Sequence, residues 1–165
     1  MKVFKQRYLF FSVLTAVVVT TSIWASRVSR PEVKVSLSGT VERDSQAVQI
    51  EKAGVLNPGE ILHWTILSQN NGNAAAHNYK TIGEIPAGTA YLTGSAKAGG
   101  NVAILFSLDQ GKTFALKPMI EQKQPDGSVR QVPAPATMYT HIRYEWSDPL
   151  SEGKQVAASY KVRVQ

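Results

Sequence analysis

The sequence predicts an all-β sandwich, and three observations predict it. Short segments repeatedly alternate apolar and polar residues with period two, as half-buried strands do. Gly, Pro and Asn punctuate the gaps between those segments. Beyond residue 25 no window keeps a helical period for three turns, so nothing predicts a helical layer. There is no internal repeat or low-complexity tract, and the chain reads as one domain behind a distinct N-terminal segment.

That segment sets Lys2, Lys5 and Arg7 ahead of an uncharged run from Tyr8 to Ala25. Cations held in the cytoplasm, followed by a run that partitions into the bilayer, are what an export signal needs. Ala25, with Ile23 two residues earlier, offers a small-residue cleavage point. The run is long for a signal core and slightly short of the roughly 20 residues of a spanning helix. Residues 1–25 are therefore expected to be a signal peptide or a retained N-terminal anchor helix, 26–32 a linker, and 33–165 the sandwich domain. Export follows on either alternative, to the periplasm, the cell surface or the medium. Membrane contact is expected only through residues 1–25, if they are uncleaved.

Three of the 18 basic residues lie in that segment; the remaining fifteen face twelve acids, so the formal charge falls from +6 to +3. A modest excess with acids interspersed is no nucleic-acid footprint. The chain has no cysteine, which removes disulfides, thiolate metal sites and a cysteine nucleophile. An exported domain without disulfides must be held by its core alone, which favours a bacterial envelope.

The elements follow in order. Val33, Val35 and Leu37 share one face against Lys34 and Ser36, a half-buried strand. After Pro58-Gly59, Leu62, Trp64, Ile66 and Ser68 alternate with Ile61, His63, Thr65 and Leu67, so both faces carry apolar residues and periodicity cannot choose the inner one. Leu67–Lys80 is rich in Asn and Ala. Asn tolerates left-handed backbone and bonds its own chain, and Gly72 is expected to take positive φ, so a bend is expected there. No Asn begins an Asn-x-Ser/Thr triplet. Two short strands flank Pro86-Ala87-Gly88, a hairpin turns at Asp109-Gln110-Gly111, and a second turn falls at Pro125-Asp126-Gly127. Ile142, Tyr144 and Trp146 alternate with His141, Arg143 and Glu145. The last strand sets Val156, Ala158, Tyr160, Val162 and Val164 against Lys161 and Arg163.

The order of Pro58-Gly59, an alternating strand, Asn70-Asn71-Gly72, an Ala-rich step, Ile85-Pro86-Ala87-Gly88 and Tyr91 resembles the DUF11 family of immunoglobulin-like repeats in bacterial surface and secreted proteins. The stretches FSLDQGKTF and YTHIRYEWSDPLSEGKQVAASYKVRV look like that family's closing portion. The resemblance covers roughly Val55 to Val164 and implies an immunoglobulin-like antiparallel sandwich. It turns Leu62, Trp64 and Ile66 inward, leaving Ile61, His63, Thr65 and Leu67 outward, to be covered by a loop or by a partner. The chain departs from the family at Gly83, where an aspartate is frequent, in the longer Ala115–Met138 region, and in holding one copy rather than a tandem array.

No constellation for chemistry stands out. His63, His77 and His141 lack metal-ligand spacing, and Asp109, Asp126 and Asp148 fit turn stabilisation better than calcium. There is no Gly-x-Ser-x-Gly elbow and no recognisable Ser-x-x-Lys acyl-transfer set. The expectation is thus a non-catalytic module without cofactor or metal. Its role would be structural or adhesive, towards an envelope protein or polysaccharide, through Ile61, His63, Thr65 and Leu67. The alternative is a carbohydrate- or anionic-surface-binding module using Arg143, Lys161 and Arg163, which form one mixed patch if the two late strands pair. A loop-borne catalytic site is a third reading, with Ala115–Met138 the place to seek it.

Overall fold

The computed structural model describes residues 29–165; the expected leader over residues 1–25 lies outside them. Eleven strands follow in chain order: β1 (Val33–Arg43), β2 (Gln46–Gln49), β3 (Ile61–Asn70), β4 (Lys80–Glu84), β5 (Thr89–Tyr91), β6 (Lys97–Ala98), β7 (Val102–Ser107), β8 (Met119–Lys123), β9 (Val129–Pro133), β10 (His141–Trp146) and β11 (Gln155–Val164). The larger sheet runs β2-β1-β3-β11-β5, with β6 also on β11; the smaller runs β4-β10-β7. Every pairing is antiparallel. The chain is an all-β, two-layer structure, as its alternation predicts.

The core lies between the two sheets. Leu62 and Ile66 from β3, Ile142, Tyr144 and Trp146 from β10, and Ala158, Tyr160 and Val162 from β11 are all buried. Burial alternates strictly along β10 and nearly so along β11. Two tyrosines tie the layers reciprocally. Tyr144 of the smaller sheet donates its hydroxyl to the Ser159 carbonyl of β11, 2.8 Å away, and Tyr160 of the larger sheet donates to the Glu84 carbonyl of β4. Burial pushes both phenols well above their ordinary range, so each stays protonated as a donor. Each such bond contributes about 1 kcal/mol, and together they do the cross-linking that this cysteine-free chain cannot do with sulfur.

The Asn-rich bend joins β3 to β4, passing from one sheet to the other. Asn70 is completely buried and uses both ends of its amide. Oδ1 accepts from the backbone N–H groups of Gly72 (3.0 Å) and Glu32 (3.1 Å), and Nδ2 donates to the carbonyls of Ala74 (2.7 Å) and Leu150 (2.9 Å). The Gly72 bond is the expected Asx-turn. Gly72 itself does not take positive φ as expected; Asn78 does. What Gly72 supplies is space, since a Cβ there would lie within about 2.5 Å of the Glu32 nitrogen and the Arg30 oxygen. Those atoms belong to the stretch 29–32, expected as a linker but bonded to the bend through Arg30 with Asn73 and Glu32 with Asn71.

Two further expectations change. Val35 and Leu37 do share the inner face of β1, opposite Ser68 and Ile66, yet they are exposed, and only the far end of that face, at Val41, is buried in the core. The Ala115–Met138 connection is no loop: β8 and β9 form a hairpin turning at Asp126 and Gly127, where Asp126 accepts from Ser128. A hairpin that alternation did not single out joins β1 to β2, with Asp44 and Ser45 both at positive φ (51° and 62°), the two-residue turn that suits strand twist.

Candidate functional site

The outward face of the larger sheet is the widest surface the fold presents. Its register follows from β3, the central strand, whose even-numbered residues are committed to the core. His63 lies between Thr40 of β1 and Lys161 of β11, Thr65 between Ser38 and Ser159, and Leu67 between Ser36 and Ala157. Ile61 faces Arg163. Ile61 is 40% exposed and Leu67 37%, His63 is exposed and Thr65 half-buried. Of the two covers expected for this face, a loop or a partner, no loop covers it among the described residues. The four positions expected outward are therefore outward together, on one open surface.

At the end of that face nearest the β1–β2 hairpin lies an open groove of about 620 Å³, lined by Thr40, Glu42, Asp44, Ile61, His63 and Lys161 among others. Glu60 also lines it, and an ion pair holds that side chain. Arg43 Nε donates to Glu60 Oε1 at 2.8 Å and Nη2 to Oε2 at 3.0 Å, while Nη1 and Nη2 also reach the carbonyls of Ala53 and Val55. The guanidinium, and then the Asn57 N–H, hold the Glu60 carboxyl down to about 2. Glu60 is thereby neutralised by Arg43, and Glu42, Asp44 and Lys161 are the other charged residues lining the groove.

The three cations expected to form one patch do not. β10 and β11 lie in different sheets, so Arg143 sits on the outer face of the smaller sheet and Lys161 and Arg163 on the outer face of the larger. Alternation within each strand was legible; the assumption that they pair was not warranted, because pairing is a non-local choice. Arg143 is also engaged within the chain. Its guanidinium carbon sits 4.2 Å from the centre of the Phe114 ring and Nη2 lies 2.7 Å from Glu145 Oε1, which Lys80 approaches at 3.1 Å. Lys161 and Arg163 form no ion pair with an acid among the described residues, and Lys97, opposite Ser159, is exposed beside them.

The histidines do not converge: His63 is on the larger sheet, His141 on the smaller, and His77 in the crossing between them. Among the described residues no three of His, Asp and Glu gather so as to hold a metal ion, and no helix is long and apolar enough to cross a membrane. Asp109 performs the turn role expected of it. Thr113 donates to it from hydroxyl and backbone N–H, and Ser107 from its hydroxyl, which holds its carboxyl well below the usual range. Comparison with family models gives no match, and comparisons with curated proteins and with solved structures give none either.

Proposed function

We propose that the chain is a non-catalytic, exported module of the bacterial envelope, with a structural or adhesive role exerted through the outward face of β3. The observation that carries this reading is that two large apolar side chains stand uncovered on that face. Ile61 and Leu67 remain exposed on a central strand, Leu67 between the short side chains of Ser36 and Ala157 and Ile61 beside Arg163. A DUF11-like, immunoglobulin-like sandwich is part of the proposal and is supported by two facing antiparallel sheets and by the order of turns in the sequence. The strand order has its own character, since the last strand lies beside β3 in the larger sheet instead of beside β10 as the immunoglobulin order has it. Export rests on the charge and apolar pattern of residues 1–25, which makes the protein periplasmic, surface-bound or secreted.

The test is cross-linking of the intact protein in its own envelope, comparing wild type with Ile61→Ser plus Leu67→Ser. A specific adduct that the double variant loses, while it stays folded, supports the assignment. An unchanged adduct pattern sinks it.

A second reading is favoured by one observation: Lys161, Arg163 and Lys97 stand exposed on the same face without acidic partners among the described residues. They suit an anionic polysaccharide or headgroup surface. Salt-sensitive retention that Lys161→Ala plus Arg163→Ala abolishes, and Arg143→Ala leaves intact, would favour this reading over the first.

A further inference from the structure

The smaller sheet is three strands wide and the larger five, so part of β1 overhangs. Val35 and Leu37 project from its inner face beside buried Ser68 and Ile66, yet are 51% and 57% exposed. The edge beside them is open as well. β2 pairs only with Thr40–Arg43, so from Val33 to Gly39 strand β1 is bonded on the β3 side alone. An open edge next to uncovered apolar side chains is a template for one more strand.

We propose that this edge pairs with the same edge of a second copy, antiparallel, about a two-fold axis at Ser36. The available length selects that centre. Thr40 already holds Gln49, and Glu32 is bonded to the bend at Asn70 and Asn71, which leaves Lys34–Ser38 with clearance at each end. In this register Val35 lies opposite Leu37 of the second copy and Leu37 opposite its Val35, so all four uncovered side chains form one apolar patch. Lys34 meets Ser38 and Ser36 meets Ser36, so no like charges face each other. Sliding by one residue sends the apolar pairs of the two copies to opposite faces. Sliding the centre to Lys34 opposes two ammonium groups. The contact is isologous, as two-fold pairing requires, and its few strand positions make it smaller than a standard interface and hence reversible. The two N-termini leave at opposite ends. On the export reading, the pairing therefore joins released copies or copies on facing surfaces, not neighbours anchored side by side.

The chain has no cysteine, so Ser36→Cys places a single thiol on the proposed axis, at an exposed position. Directly opposed antiparallel residues have Cα atoms about 4.5–5.5 Å apart, within the roughly 4.4–6.8 Å that a disulfide spans. The full chain in mild detergent, gently oxidised, is expected to form covalent dimer at least about tenfold faster for Ser36→Cys than for Gln69→Cys on the outer face of β3, because pairing concentrates the thiols locally. Adding Leu37→Ser to Ser36→Cys should return the rate to the Gln69→Cys level with the circular dichroism of a β-protein retained. Equal rates for the two cysteines, or fast dimerisation untouched by Leu37→Ser, would overturn the proposal.

Discussion

Replacing Gly83 by alanine isolates the contact on which the two sheets close. Gly83 lies in β4, buried, and does not use a left-handed backbone. By conformational entropy alone, alanine should therefore stabilise by about 0.4–1 kcal/mol. Sterics oppose this. A Cβ at Gly83 would lie 2.5 Å from Tyr160 Cε1, 3.0 Å from Cζ and 3.1 Å from the hydroxyl oxygen. Optimal carbon contacts are about 3.5–4.0 Å, so the overlap is at least about 1 Å at Cε1 and about half an ångström at Cζ. The ring cannot simply swing aside, because its hydroxyl is bonded to the carbonyl of Glu84, the next residue on the same strand. Overpacking of this kind costs about 1–3 kcal/mol, which outweighs the entropic gain. The net expectation is a loss of about 1–2 kcal/mol, read from the urea midpoint at unchanged m-value. The decisive measurement is the cycle with Tyr160→Ala. That change alone is costly, but in its background Gly83→Ala should be neutral or slightly stabilising. An equal cost in both backgrounds refutes the packing argument, as does no cost in the wild type.

Three other changes test separate parts of the fold. Asn70→Ala removes four bonds and strands buried partners at the sheet crossing, so a loss of about 3 kcal/mol or more is expected in denaturant unfolding. Ser45→Gly relieves a non-glycine left-handed residue at roughly 1–2 kcal/mol while adding unfolded-state entropy worth about 0.5–1, for a net gain of about 0.5–1 kcal/mol in thermal or urea unfolding. The Glu60 carboxyl is depressed in the folded chain, so its stabilising contribution is fully present above its unfolded value of 4.5 and is lost as pH falls towards about 2. Glu60→Gln should flatten stability against pH in that window and leave the slope above it unchanged, as followed by urea midpoints at successive pH values.

What could be read from the sequence was whatever a strand decides locally. The alternation of β10 and β11 named their inward residues, because a period of two is imposed by the pleat and does not depend on which strand lies alongside; in β3, apolar on both faces, alternation left the inner face open. Pairing was not legible. The sequence places β10 and β11 in succession, which invites a hairpin, but Asp148, Pro149 and Leu150 carry the chain across to the other sheet, Leu150 bonding Ala76 of the β3–β4 crossing on the way. That crossing splits Arg143 from Lys161 and Arg163. Gly72 illustrates the same limit at one residue. Both a positive φ and a close approach call for glycine, and only the position of Arg30–Glu32, forty residues away in the chain, tells them apart.

The crossings also explain why the open face of β3 can persist as a surface. β3 leads into β4 and β10 into β11, and both passages lie at the end of the sandwich where Asn70 bonds Ala74 and Leu150. β3 therefore pairs with β1 on one side and β11 on the other, its backbone satisfied and its inner side chains locked. Ile61 and Leu67 can stay exposed on such a strand without offering an edge for uncontrolled pairing, since a central strand has no unbonded backbone to present. The situation at Val35 and Leu37 is the reverse: uncovered side chains coincide with an unbonded edge. On the proposed readings the first arrangement would recognise a partner by side chains alone, whereas the second would add backbone bonds and fix a register. Leu67 lies beside Ser36, so Ile61 is the position that separates the two: Ile61→Ser should alter envelope contacts without changing Ser36→Cys dimerisation, and Leu37→Ser should do the opposite.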